Sequence, residues 1–240
     1  MLSSKLKWYN CETPFVPTEE TIPPIVTEQT NNLLTNIPTE MENHDVMFAL
    51  NKEGASGPSG FGAIFFHTYW SNLKADVINV VMKFISKGWL LPNYNSNTIV
   101  LIPKSPTDDF VNQFKPIALA NFKFKIITRI IVDRLAAIMP HLISKEQIRF
   151  IRSRQIRDCI CTTFEAVNML SNKAFGGNIT FKIDIAKAFD TLDWSFLLRV
   201  LTTFGFTPKF CDWIDVILRS AKLSFFVNGK QHGFFSCNRG

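Results

Sequence analysis

Cysteine and histidine are scarce in this sequence: 240 residues hold five of the first and four of the second. Cys11, Cys159, Cys161, Cys211 and Cys237 are widely spread, and only Cys159-Ile160-Cys161 is a close pair. No second pair or histidine partner follows it at zinc-finger spacing. This argues against a zinc finger and against a disulfide framework, and free thiols in a reducing compartment are expected. His44, His67, His141 and His232 are isolated and match neither a ligand cluster nor a triad spacing. No apolar run approaches the roughly eighteen residues of a membrane-spanning helix, so no membrane partner is expected. Met1 to Asn10 carries Lys5, Lys7 and Trp8 but no apolar core of signal-peptide length, so an intracellular location is expected. Internal repeats are also absent.

What is there is globular. The chain is 46% hydrophobic and 19% charged, enough apolar content for a real core. Its formal charge of +6 favours polyanionic partners. Residues 1–38 are rich in Pro, Thr, Glu and Asn without hydrophobic periodicity, and read as a poorly ordered lead-in. Thr39-Glu40-Met41-Glu42 fits a capping box ahead of Val46, Met47 and Leu50. Gly54 to Gly62 is a turn-rich break. Phe66, Tyr69, Trp70, Leu73, Val77, Val80, Val81 and Phe84 predict one long amphipathic helix stopped at Gly88.

Thr98 to Ile102 predicts a strand. A helix is predicted from about Phe122 to Met139, stopped by Pro140, and another from about Ile156 to Leu170. Gly176-Gly177-Asn178 reads as a turn into a further strand. Asp193 and Thr207-Pro208 each open a helix. Leu223 to Val227, Asn228-Gly229 and Lys230 to Phe235 predict a tight hairpin. The expected fold is mixed α/β (α+β), helix-rich, with one small antiparallel sheet that carries Asp184.

Four stretches carry possible chemistry. In Phe181-Lys182-Ile183-Asp184-Ile185-Ala186-Lys187-Ala188-Phe189-Asp190, apolar residues alternate from Ile179 to Ile185, which predicts a strand with one buried face. Asp184 stands on the opposite face, where a carboxylate can hold a hydrated Mg²⁺. A core strand with one exposed acid satisfies the same pattern. Leu101-Ile102-Pro103-Lys104 and Phe114-Lys115-Pro116-Ile117 flank a polar turn, so a hairpin would bring two cations to one side, where they could neutralise a triphosphate. Surface lysines are the default alternative. Between Ile143 and Asp158, Lys145, Arg149, Arg152, Arg154 and Arg157 interleave with Ile148, Phe150, Ile151 and Ile156, which suits a surface tracking a nucleic-acid backbone and equally suits a solvated basic face. Ser56-Gly57-Pro58-Ser59-Gly60-Phe61 is a turn with no assigned chemistry.

In their order and spacing these segments resemble the reverse transcriptases of LINE-type (non-LTR) retrotransposons, in particular those of plants. The likeness runs from about Ile37 to Gly240. It includes the Gly-Pro-Ser-Gly-Phe turn, Leu-Ile-Pro-Lys, Lys-Pro-Ile-Ala-Leu, Lys-Ile-Ile with Arg134-Leu135 downstream, Leu-Ile-Ser with Gln147, and the Asp184 motif. The resemblance implies fingers over about 39–175 and an incomplete palm over about 176–240. It implies an RNA-directed DNA polymerase that uses Mg²⁺, with Mn²⁺ as the alternative ion. Asp184 and the carbonyl of Ile185 would bind metal. Lys104 and Lys115 would bind the triphosphate, with Ile185, Ala188 and Phe189 lining the nucleotide site. The Phe189 ring would lie under the sugar and select deoxynucleotides. Gln147 and Arg154 would face the template.

Partners would be an RNA template, a DNA primer and deoxynucleoside triphosphates, in the nucleus where the target DNA lies. Lys115 stands where the family has arginine, so a point charge replaces a bidentate fork. Arg149 and Ser153 stand where the family has a small residue and a glycine; if those positions need positive φ, the exchange costs function. Asn238-Arg239-Gly240 matches the opening of the family's next motif, and the later Ala-Asp-Asp hairpin does not occur in these residues. Asp184 alone does not build a two-ion site, so this chain by itself is expected to be inactive, with an open sheet edge prone to aggregation. The alternative from another class is a non-catalytic nucleic-acid-binding module. No feature sets an oligomeric state.

Overall fold

The computed structural model describes residues 23–107, 109–170, 172, 177–179, 181, 183 and 191–237. Eight α-helices and four strands are described: α1 (Glu28–Thr35), α2 (Glu40–Ala49), α3 (Ala63–Thr68), α4 (Trp70–Lys87), β1 (Ser96–Pro103), β2 (Phe114–Ala120), α5 (Phe122–Leu142), α6 (Ile156–Met169), α7 (Trp194–Thr203), α8 (Pro208–Arg219), β3 (Lys222–Val227) and β4 (Lys230–Ser236). The class is the one expected, helix-rich α/β with one small sheet.

The helices form around a core in which Trp213, Phe84, Phe210, Phe66, Met47, Ile126, Ile127 and Ile130 are each almost wholly buried. Phe66 stacks on Phe122 with ring centroids 4.8 Å apart, and Phe84 meets Trp213 at 5.9 Å. Trp213 is therefore a core residue.

Local signals explain most boundaries. The Thr39 hydroxyl accepts from the Glu42 amide at 3.1 Å and starts α2. Only half of the capping box forms, because the Glu42 carboxylate turns to Arg134, which grips it through two nitrogens at 2.8 Å each. Arg134 also donates to the carbonyls of Leu34 and Asn36, and so ties α5 to α1 and α2. The predicted long helix from Phe66 divides at Tyr69 (φ −104°, ψ 22°) into α3 and α4. Gly88 closes α4 in the left-handed conformation, φ 62°. α5 runs past Pro140, which lies in its last turn and removes one helical donor, not the turn itself.

Two further expectations are corrected. The stretch 1–38 is not uniformly an extended lead-in, since α1 lies inside it. What holds α1 is a polar anchor: the buried Asn31 donates to the Gly205 carbonyl at 2.7 Å and accepts from the Thr207 amide at 3.0 Å. Partners some 175 positions away leave no trace in local periodicity. The sheet is mixed, in order β2-β1-β3-β4, with two antiparallel hairpins joined by a parallel β1–β3 pair. The Asn228-Gly229 turn has φ 50° and 76°, as a tight primed turn requires.

Candidate nucleic-acid interface

The β1–β2 hairpin sets the register of the two lysines. Ile102 pairs with Lys115, and the Lys104 amide donates to the Gln113 carbonyl at 3.3 Å. Directly opposed residues share a sheet face and alternate residues return to it. Lys115 therefore shares a face with Ile102, and Lys104 lies in the bend just past the end of β1, at the same end of the hairpin. The connecting turn is held by the Gln113 side chain, whose Oε1 accepts from the amides of Asp109 (3.1 Å) and Phe110 (2.8 Å). Lys104 Nζ approaches the Asn112 carbonyl at 3.4 Å. Among the described residues neither lysine forms an ion pair.

Arg154 has a different setting from the expected one. Its terminal nitrogens donate to four backbone carbonyls: Pro140 at 3.2 Å, Ile143 at 2.9 Å, and those of Ser144 and Gln147. Pro140 is in the last turn of α5 and Ile143 is its cap, so two of these bonds set a cation at the negative end of that helix, and the bonds to Ser144 and Gln147 hold the loop that follows. These four bonds hold the loop after α5 in shape and leave the Nε–H of Arg154 outside them. Gln147 belongs to the same turn and donates to the Arg149 carbonyl at 3.3 Å.

The clamped loop presents Phe150 and Ser153 with φ 65° and 69°. The family's glycine position, Ser153, does take the left-handed conformation. Phe150 is 88% exposed. Arg152 lies 3.7 Å from Asp133. The Glu146 carboxyl is held below its usual range, first by its own backbone amide and by Ser144, then by Arg154 and Lys145.

Asp184, Ile185, Ala188 and Phe189 lie outside the described residues. Their described neighbours Ile179, Phe181 and Ile183 are 76%, 81% and 83% exposed and belong to no strand. The expected buried strand face is thus not found at these three positions, with which no described strand pairs. Among the described residues, no three His, Cys, Asp or Glu side chains come together as metal ligands. Asp193 caps α7, accepting from the Phe196 amide at 2.7 Å, and Trp194 is buried, so both serve the fold.

A feature that sequence reading missed lies further along the lysine-bearing face. Thr98 pairs with Leu119 and with Ser224, and Phe226 pairs with Gln231. Gln231 Nε2 donates to Ser224 Oγ at 2.6 Å and to Thr98 Oγ1 at 3.3 Å. The Gly57–Gly60 turn closes over this face. A Cβ on Gly57 would stand 2.4 Å from the backbone carbon and oxygen of Ala120, so only glycine fits. Asn121 Oδ1 accepts from the Ser59 amide at 3.0 Å and fastens the turn.

Residues 102–240 match the family described as reverse transcriptase (RNA-dependent DNA polymerase). The chain belongs to the reverse transcriptase family. It is also similar to "Transposon TX1 uncharacterized 149 kDa protein" of Xenopus laevis, 23% identical over 206 residues, which is 85% of this chain and 16% of that protein. The chain thus spans about a sixth of the length of that curated relative. The match to the family begins at Ile102, so the paired lysines fall inside it and the Gly57–Gly60 turn lies before it.

Proposed function

We propose that this reverse transcriptase domain is the fingers and partial palm of a LINE-type retrotransposon polymerase, whose ancestral reaction is the RNA-templated addition of deoxynucleotides to a DNA 3′ end. The observation that carries the reading is the β1–β2 register. It brings Lys104 and Lys115 to the same end of one hairpin, without a carboxylate partner among the described residues, which supports a triphosphate site. Mg²⁺, or Mn²⁺, would be held by Asp184 and the Ile185 carbonyl, and would supply charge neutralisation for phosphoryl transfer. Phe189 and Ala188 would line the sugar. Arg154 holds the 144–157 loop in shape. The place of action is the nucleus.

The 240-residue chain holds one of the family's metal carboxylates, and one carboxylate does not align two ions. It is therefore expected not to extend a primer; extension that disappears in Asp184→Asn would overturn this. Triphosphate binding tests the site itself. Titration with a fluorescent deoxynucleotide should show weakening by about tenfold in Lys104→Ala/Lys115→Ala. Lys115→Arg should bind severalfold tighter than the native chain, because the fork takes two phosphate oxygens. Equal affinity across the three proteins would refute the assignment. A second reading, a non-catalytic nucleic-acid module, is favoured by the clamped loop with Arg149, Phe150 and Arg152 exposed at its tip. Binding to single-stranded RNA that persists in the lysine double variant and is lost in Arg149→Ala/Arg152→Ala would favour it.

A further inference from the structure

Helix α2 is an acidic element in a basic chain. It carries Glu40, Glu42 and Asp45 and no lysine or arginine, while the chain as a whole is +6. Between α2 and the start of α4, a cavity of about 410 Å³ is lined by Glu40, Met41, His44 and Trp70. Glu40 and His44 are one turn apart on α2 and so share a face. Trp70 opens α4 and stands at 67° to the His44 ring, with centroids 6.1 Å apart. The two rings are therefore adjoining walls and not a stack. Phe48, one turn further along α2, touches both: it lies 4.4 Å from His44, and 6.2 Å from Trp70 at 80°. His67 meets Phe48 at 4.7 Å and donates from Nε2 to the Met47 carbonyl at 3.0 Å, so α3 also braces the rings. Glu40 Oε1 accepts from Lys74 Nζ at 2.9 Å, and Oε2 has no bond among the described residues. A second carboxylate, Asp45, lies 3.2 Å from His44 Nδ1.

An aromatic corner beside a carboxylate has the chemistry of an organic-cation site. A ring face attracts positive charge, tryptophan most strongly, and the carboxylate supplies the opposite charge. A plain ammonium is compact and strongly hydrated, and an exposed ion pair with Glu40 gives it little. Methylation removes the N–H donors and spreads the charge over methyl groups that fit against rings. We propose that this cavity takes the methylated ammonium of a lysine side chain presented by a protein partner, with the methyls against Trp70 and His44 and the charge beside Glu40. A choline headgroup offers the same cation, but it brings a phosphate a few bonds away, against Glu40 and Asp45. A lysine stem is aliphatic, brings no anion and can lie along Met41, which is 67% exposed. The same carboxylates repel a polynucleotide, so this site is separate from the basic loop and the lysine hairpin. Both α2 and α4 precede Ile102, where the family match begins.

The test uses the full chain and a short fluorescein-labelled peptide with a single central lysine and no other charged side chain. It is made in three forms: unmodified, trimethylated, and with the neutral tert-butyl isostere in place of the trimethylammonium. Fluorescence anisotropy reports binding. The trimethylated form should bind roughly fivefold to tenfold tighter than either of the others, because only it offers a weakly hydrated cation. Trp70→Phe, which keeps a ring where Trp70 packs against the core, should weaken the trimethylated peptide about threefold. Glu40→Gln, at an exposed side chain that leaves the core untouched, should weaken it by about the same factor. Tetramethylammonium should displace the peptide and phosphocholine should not. Equal binding of the isostere and the trimethylated form overturns the cation site and leaves an apolar slot. Displacement by phosphocholine as effective as that by tetramethylammonium overturns the lysine side chain as the source. Absence of binding by the trimethylated peptide, or both variants indistinguishable from the native chain, overturns the site altogether. Nucleotide and oligonucleotide binding, measured separately, stays the same in Glu40→Gln, so failure here and failure of the polymerase reading are distinguishable.

Discussion

Ser153 shows how a single residue can carry a conformational cost. Its φ of 69° is the left-handed region, which a β-carbon disfavours by roughly 1–2 kcal/mol. The reverse transcriptase pattern has glycine here. Glycine would lose more entropy on folding, roughly 0.4–1 kcal/mol. The two effects oppose, and relief of strain is the larger. Ser153→Gly is therefore expected to raise stability by about 0.5–1 kcal/mol in urea denaturation; an unchanged or lower midpoint would show that the loop relaxes around serine. Arg149, the other departure from the pattern, is not among the residues with positive φ, and Phe150 beside it is. The family's demand for a small residue there is not a demand of its own backbone angle.

At the scale of elements, the end of α5 is the most heavily engaged junction of the basic loop. One guanidinium serves four carbonyls that would otherwise face solvent or each other. Hydrogen bonds to a charged donor contribute about 1.5–3 kcal/mol each in favourable settings, and exposure here reduces that figure. Arg154→Ala should destabilise the chain by about 2 kcal/mol, and Arg154→Lys should recover less than half, since an ammonium cannot span carbonyls lying in two directions. If Arg154→Ala leaves the unfolding midpoint unchanged yet abolishes oligonucleotide binding, the clamp is not its role. The same scale explains Pro140: in the last turn its missing N–H removes only the bond to the Ala136 carbonyl, and no further turn follows for its ring to disturb.

For the whole molecule, the helices differ in how they join the core. α8 buries Phe210 and Trp213, while α6 has no buried residue. Their cysteines should report this. Cys159 and Cys161 on α6 are exposed, whereas Cys211 on α8 is partly covered and lies 3.8 Å from the Thr202 hydroxyl. Burial pushes the Cys211 thiol above its ordinary value, and the nearby Asp212 pushes the same way. The thiolate is the reactive form. Mass-spectrometric mapping of iodoacetamide labelling should find Cys159 and Cys161 modified first and Cys211 far later, with the lag shrinking as pH rises. The linkage has the same origin: a thiol whose folded pKa is raised holds its proton more tightly when folded. Its contribution is complete below the ordinary thiol range and is lost as pH climbs through the folded value. Equal labelling rates would mean that α8 is not seated as described.

The order of short motifs, the helix starts at Thr39 and Asp193, the stop at Gly88 and the Asn228-Gly229 hairpin were legible from sequence, because caps and turns depend on neighbours within a few positions. The β1–β2 hairpin, with Lys104 just past one strand and Lys115 in the other, was legible for the same reason. Other features required the folded chain. Asn31 anchors α1 from across the fold, Arg134 takes Glu42 out of its capping box, and Arg154 spends its donors on backbone carbonyls from Pro140 to Gln147. A parallel joint between two hairpins brings Thr98, Ser224 and Gln231 into one cluster beneath Gly57. Each of these is a contact between distant segments, chosen by which polar groups burial leaves without water, and no local pattern of residue types encodes that choice.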